Sequence, residues 1–150
     1  MDAKIREKIL ILLDQHRIMT LATVRPDGWP QATTVGYVHD GMTLYILCGP
    51  DSQKASNISR DNRVSLTIDH DTEDMNAITG LSMAARAHAV TDRSEVSKAI
   101  EMLAKVYPPQ QDLPFEIPTP EDVKVFRLTP IIISVLDYSK GFGHTDLVTC

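Results

Sequence analysis

Two tight turns near the start of the chain restrict its fold more than any other feature. Pro26-Asp27-Gly28 and His39-Asp40-Gly41 each separate segments rich in β-branched residues, over 18–24, 31–38 and 42–48. Glycine supplies the positive φ that such reversals need, and Pro26 presets the first of them. Parallel pairing requires a crossover of about a dozen residues or more, so these three segments are expected to form an antiparallel meander.

Further strands are expected over 64–68, 81–91, 123–128 and 131–136, the last two broken by Pro130 because proline cannot donate to a ladder. Three helices are expected between them. Ile5, Ile9, Leu12 and Leu13 repeat at helical spacing behind the cap residue Asp2, giving an amphipathic helix to about residue 16. Ser52 can cap a short helix over 54–59. Asp92-Arg93-Ser94-Glu95 has the spacing of a capping box, followed by Val96, Ile100, Leu103 and Val106 at helical intervals. Residues 69–74 read as an acidic loop, 107–120 as a proline-rich surface loop and 137–150 as a tail.

A strand-rich chain with few helices must hide its sheet edges, which favours a closed or nearly closed barrel. At 150 residues one domain over 1–150 suffices. The expected class is mainly β (α+β): a split β-barrel of about six to seven antiparallel strands with flanking helices.

Composition narrows the function. A net charge of −5 argues against nucleic acid, which demands clustered Lys and Arg. No apolar run reaches membrane-spanning length, so a cytoplasmic location and no membrane partner are expected. Cys48 and Cys150 make neither a disulfide framework nor a metal knuckle, and both are expected to be free thiols. His39, His70 and nearby carboxylates match no ligand spacing, so no metal is expected. No triad, paired-carboxylate or other catalytic signature appears, and no catalytic residue is assigned.

Ser52, Gln53 and Lys54 bring a hydroxyl, backbone N–H groups and an ammonium to a helix N-terminus, an arrangement suited to an anion. Read alone, they are better explained as a plain cap and a solvated lysine. Thr33 and Thr34 could donate to a polar ring edge, with Gly36 admitting a flat ring, or could belong to an ordinary strand. Trp29, beside its turn, is expected to shield a barrel end.

Taken in order, Pro26-Asp27-Gly28-Trp29-Pro30, Asp40-Gly41-Met42-Thr43-Leu44-Tyr45, Ser52-Gln53-Lys54-Ala55-Ser56-Asn57-Ile58 and Asn62-Arg63-Val64-Ser65-Leu66 resemble the pyridoxamine 5'-phosphate oxidase-like FMN-binding split-barrel family. The ending from Leu136 to Thr145 is similar to the tails of its small members rather than to the vitamin-B6 oxidase itself. The resemblance implies an FMN-binding oxidoreductase acting on a small molecule, with the cofactor at the interface of a homodimer. Relatives that use a deazaflavin or bind or store haem supply the alternatives.

By this resemblance Ala32, Thr33, Thr34, Val35 and Gly36 lay their backbone along the flavin ring. Tyr45, Ile46 and Leu47 flank it, and Ser52, Gln53 and Lys54 hold its phosphate. Phe142 and His144 reach the flavin of the same or the partner subunit, or else fray. The chain departs from the oxidase at Gln53, where an arginine precedes the lysine, and near Gln31, where a basic residue opens the strand.

Overall fold

The computed structural model describes residues 1–108 and 118–150, and most of the proline-rich segment expected over 107–120 lies outside them. The elements in chain order are α1 (Ala3–Gln15), β1 (Ile18–Val24), β2 (Pro30–Gly36), β3 (Val38–Asp40), β4 (Thr43–Cys48), α2 (Gln53–Arg60), β5 (Arg63–Asp69), β6 (Thr79–Ala89), α3 (Arg93–Val106), β7 (Lys124–Asp137) and β8 (Thr145–Thr149). All strand pairs are antiparallel, in the order β2-β1-β5-β6-β7-β4-β3, with β8 also on β7.

That order closes the sheet. β2 and β3 end opposite sides of the path, yet Tyr37 alone separates them in sequence. The sheet must therefore curl until its two ends meet, which gives the split barrel. The expected meander is corrected accordingly: β1 pairs with β2 through the turn at Gly28, and β3 with β4 through the turn at Gly41, but β2 and β4 are not ladder partners. Tyr37 turns the chain across the barrel end instead. Its buried hydroxyl donates to the carbonyls of Leu13 (2.7 Å) and His16 (3.0 Å), fastening the end of α1 to the corner. Burial pushes this phenol well above its usual range.

The last part of the chain also departs from expectation. β7 runs unbroken through Pro130, pairing with β4 over its first half and with β8 over its second, along the same edge. Opposite, on β6, the register shifts between Ala84 and Ala85, leaving Ile131 as the extra residue of a bulge. A bulge is one of the few places where a strand tolerates proline. The expected tail contributes β8, so its backbone groups are paired rather than frayed.

Strand alternation decides the core. β5 alternates strictly, with Val64, Leu66 and Ile68 inside, and joins Leu21, Leu44, Ile46, Phe126, Leu128 and Ile133 within the barrel. Helix α1 adds Ile9, Leu12 and Leu13 to this core, and α2 adds Ala55 and Ile58. Helix α3 covers a second cluster of Val38, Tyr45 and Val125 with Val96, Ala99 and Ile100. Glu95 does not close a capping box. It accepts from Arg127 (2.8 Å) and from the Tyr45 hydroxyl (2.7 Å), so α3 is bolted to β7 and β4. Among the described residues no helix is long and apolar enough to cross a membrane.

Two outcomes test this architecture. Tyr37→Phe should lower stability by about 1–3 kcal/mol in urea unfolding, since two buried carbonyls lose their donor. Asp137, paired with Lys8 and Ser139, has its carboxyl held at about 2 against an ordinary 3.8. A depressed carboxyl contributes stability above its unfolded value and loses it as pH falls through its folded value. Between pH 4 and 2, as set by those two values, Asp137→Asn should therefore lose less stability than the parent protein.

Candidate functional site

Strand β2 and helix α2 are linked by side-chain hydrogen bonds. β2 pairs only with β1, so its other row of backbone N–H and C=O groups is free of the ladder. Beside its start lies α2, held by a polar chain through Asn57. The Asn57 amide donates to Thr23 Oγ1 (3.0 Å) and to Gln31 Oε1 (3.1 Å), and its oxygen accepts from Gln53 Nε2 (2.8 Å). Asn57 is fully buried, and a buried amide without partners costs about 1–3 kcal/mol. The network therefore fixes α2 against β1 and β2 in one position.

Ser52 caps α2, its Oγ accepting from the Ala55 N–H at 3.1 Å. Lys54, half-buried in the first turn, makes no ion pair with a carboxylate among the described residues. A second ammonium lies against the last turn of α2. Lys124 is the cross-strand partner of Cys48 at the end of β4, and its Nζ reaches Ser59 Oγ at 3.4 Å. Burial pushes the Cys48 thiol up, with Lys54, a hydrogen bond from Ser52 and Lys124 acting in the opposite direction. The Lys54 ammonium and the first-turn N–H groups of α2 thus stand together beside Gln53. Such a donor set suits a phosphate.

The other residues expected at the site fall into separate groups. Along β2 the side chains alternate, Ala32 and Thr34 outward and Thr33 and Val35 toward the barrel, so the strand as a unit offers its backbone edge rather than a row of hydroxyls. Over Gly36 the space is taken by Tyr107, whose hydroxyl would stand 3.3 Å from an added Cβ. Ile46 is in the barrel core, whereas Tyr45 and Leu47 pack toward α3. Burial and Glu95 push the Tyr45 phenol up to about 12. These three side chains are spent on packing. Phe142 is 81% exposed and stacks edge-on against Tyr138, and His144 lies 3.3 Å from Asp146. Trp29 shields nothing, at 72% exposure on its turn. Both cysteines are free, Cys48 buried and Cys150 exposed.

Sequence reasoning passed over Asn57, Thr23 and Lys124. Asn57 carried one signal, a poor helix former in mid-helix. Lys124 carried none, because only the pairing of β4 with β7 brings it to Cys48.

The outer face of the sheet is the other unusual surface. Across β2, β1, β5, β6, β7 and β8, one rung reads Thr34, Thr20, Thr67, Ser82, Ser134, Leu147 and the next Ala32, Ala22, Ser65, Ala84, Ile132, Thr149. Neither rung carries a charge. Leu147 is 68% exposed and Ile132 39%.

Comparison with known proteins places this architecture. The family model described as pyridoxamine 5'-phosphate oxidase matches residues 5–135. The chain belongs to that family. It is 33% identical over 69 residues to General stress protein 26 of Bacillus subtilis (strain 168), a match covering 46% of this chain and 49% of that one, so it spans about half the length of this curated relative. A crystal structure from Listeria innocua, of a pyridoxamine 5'-phosphate oxidase candidate, superposes with a TM-score of 0.74 at 26% identity, covering 89% of this chain and 98% of that one. HutZ, the heme storage protein of Vibrio cholerae, shares the fold at a TM-score of 0.69 and 20% identity, covering 95% of this chain and 92% of that one.

Asn57→Ala removes the hub of the polar chain and should cost about 1–3 kcal/mol in unfolding, because Thr23 and Gln31 lose a buried partner. Ser56→Ala, on the exposed side of α2, should stay within about 0.5 kcal/mol in the same assay.

Proposed function

We infer that this protein is an FMN-binding oxidoreductase acting on a small molecule, its cofactor held between two copies of the chain. The observation that carries this reading is the hydrogen-bonded link Gln31–Asn57–Gln53, which ties the start of β2 to the first turn of α2. A planar ring with a polar rim fits the first, and its phosphate the second. Bound there, a flavin supplies the hydride and electron chemistry. The chain's part is to orient and retain it. The backbone of Ala32, Thr33 and Thr34 meets the ring edge, and Ser52 and Lys54 meet the phosphate, Gln53 serving to brace Asn57. Val35 and Gly36 lie at the far end of the strand, Gly36 under Tyr107.

The second copy follows from the two uncharged rungs. A solvated sheet face normally alternates with polar and charged residues, whereas small and apolar side chains suit a flat contact against another sheet. A deazaflavin would use the same slot. Haem storage, known by name for one fold neighbour, is the other reading. The donor set of hydroxyls, amides and an ammonium favours the flavin, since iron is usually held by an imidazole, a thiolate or a thioether.

Denaturing the purified protein and identifying the released chromophore by mass spectrometry should yield FMN, and recovery of haem would replace this reading with the storage one. Lys54→Ala should weaken FMN retention by about tenfold or more, the scale of a charge-assisted hydrogen bond. Sedimentation at micromolar concentration should show a dimer that Ala22→Glu converts to monomer. A monomeric parent protein that retains FMN would exclude the shared site.

A further inference from the structure

A second concave site lies on the other side of the barrel, between the end of α1, the corner at Tyr37 and the end of α3. It encloses about 400 Å³, inside the range of about 300–1,000 Å³ occupied by small-molecule pockets. Its floor is apolar, made by Leu13, Val38, Met102 and Val106. Arg17 and Lys105 stand at its rim, and neither pairs with a carboxylate among the described residues.

The other polar side chains that line it have partners. His39 Nε2 lies 2.7 Å from Asp14 Oδ1 and its Nδ1 2.9 Å from the Gly41 carbonyl, so both ring nitrogens are engaged. His16 Nδ1 lies 2.7 Å from the Leu12 carbonyl, and its Nε2 faces His70 Nδ1 at 2.9 Å. What remains in excess is positive charge over an apolar floor. The site is also held in shape. The Arg17 carbonyl accepts from the Tyr37 N–H (3.1 Å) and from the Tyr107 hydroxyl (3.0 Å), which fixes the backbone that carries the guanidinium.

We propose that this groove binds a small molecule with an apolar or aromatic body and a single oxyanion, the anion held between Arg17 and Lys105. Arginine's planar fork pairs with carboxylate or phosphate oxygens in a two-point contact, and the floor takes the body. This assignment is independent of the flavin reading. The groove shares none of its residues with the β2 edge or the α2 N-terminus.

The test uses the full chain with whatever cofactor it retains, followed by amide chemical shifts in NMR. Benzoate, phenyl phosphate and benzyl alcohol serve as probes of equal body and different head. Benzoate or phenyl phosphate should move the amides of Val38, His39, Met102 and Val106 saturably, and the stronger of the two identifies the preferred oxyanion. Benzyl alcohol should bind at least about tenfold more weakly, and the Arg17→Gln, Lys105→Gln double variant should lose the anion's advantage to the same extent. The proposal fails if neither anion shifts those amides, if the alcohol binds equally well, or if the double variant leaves anion binding unchanged. Chromophore content in the double variant should match the parent, which separates this site from the flavin slot.

Discussion

Everything in this molecule depends on the single residue between β2 and β3. Because those strands stand at opposite ends of the sheet order, a one-residue link can be satisfied only by a curled sheet. Tyr37 supplies both the covalent corner and its fastening, through two carbonyls at the end of α1. The corner in turn shapes both concave sites. It leaves β2 with one edge outside the ladder, and it forms a wall of the groove between α1 and α3.

The barrel divides its surfaces by chemistry. Apolar residues that alternate inward fill its centre, and helices α1 and α3 cover two separate apolar clusters. Helix α2 is different, since its position is set by hydrogen bonds as well as packing. A buried amide network is specific in a way that hydrophobic contact is not, because only one placement satisfies every donor and acceptor. Asn57 thereby holds α2 in one position against Thr23 of β1 and Gln31 of β2. The outer sheet face is uncharged over two full rungs.

Much of this was legible in the sequence where the signal was local. The caps Asp2, Ser52 and Asp92 stand where expected, each accepting from a backbone N–H of its own first turn. The turns at Gly28 and Gly41 take positive φ. What misled was proline. Pro130 has the local signature of a strand break, yet the bulge on β7 absorbs it because β4 and β8 share the same edge of that strand and meet there. Glu95 had the spacing of a capping box, but Arg127 and Tyr45, brought near by the sheet, outcompete the backbone for its carboxylate.

Alternation, turn chemistry and helix caps are properties of neighbours in sequence, so the sequence by itself determined the three helices, the hairpin turns at Gly28 and Gly41, the antiparallel sense of the early strands and the order of family motifs. Which strands become partners, by contrast, is decided by contacts between residues far apart in the chain. Only the tertiary structure could therefore set Lys124 beside Cys48, close the sheet at Tyr37, put Tyr107 over Gly36 and aim Asn57 at Gln31. The physical reason is that ladder pairing and buried hydrogen bonds depend on distance in space, to which separation along the chain is no guide.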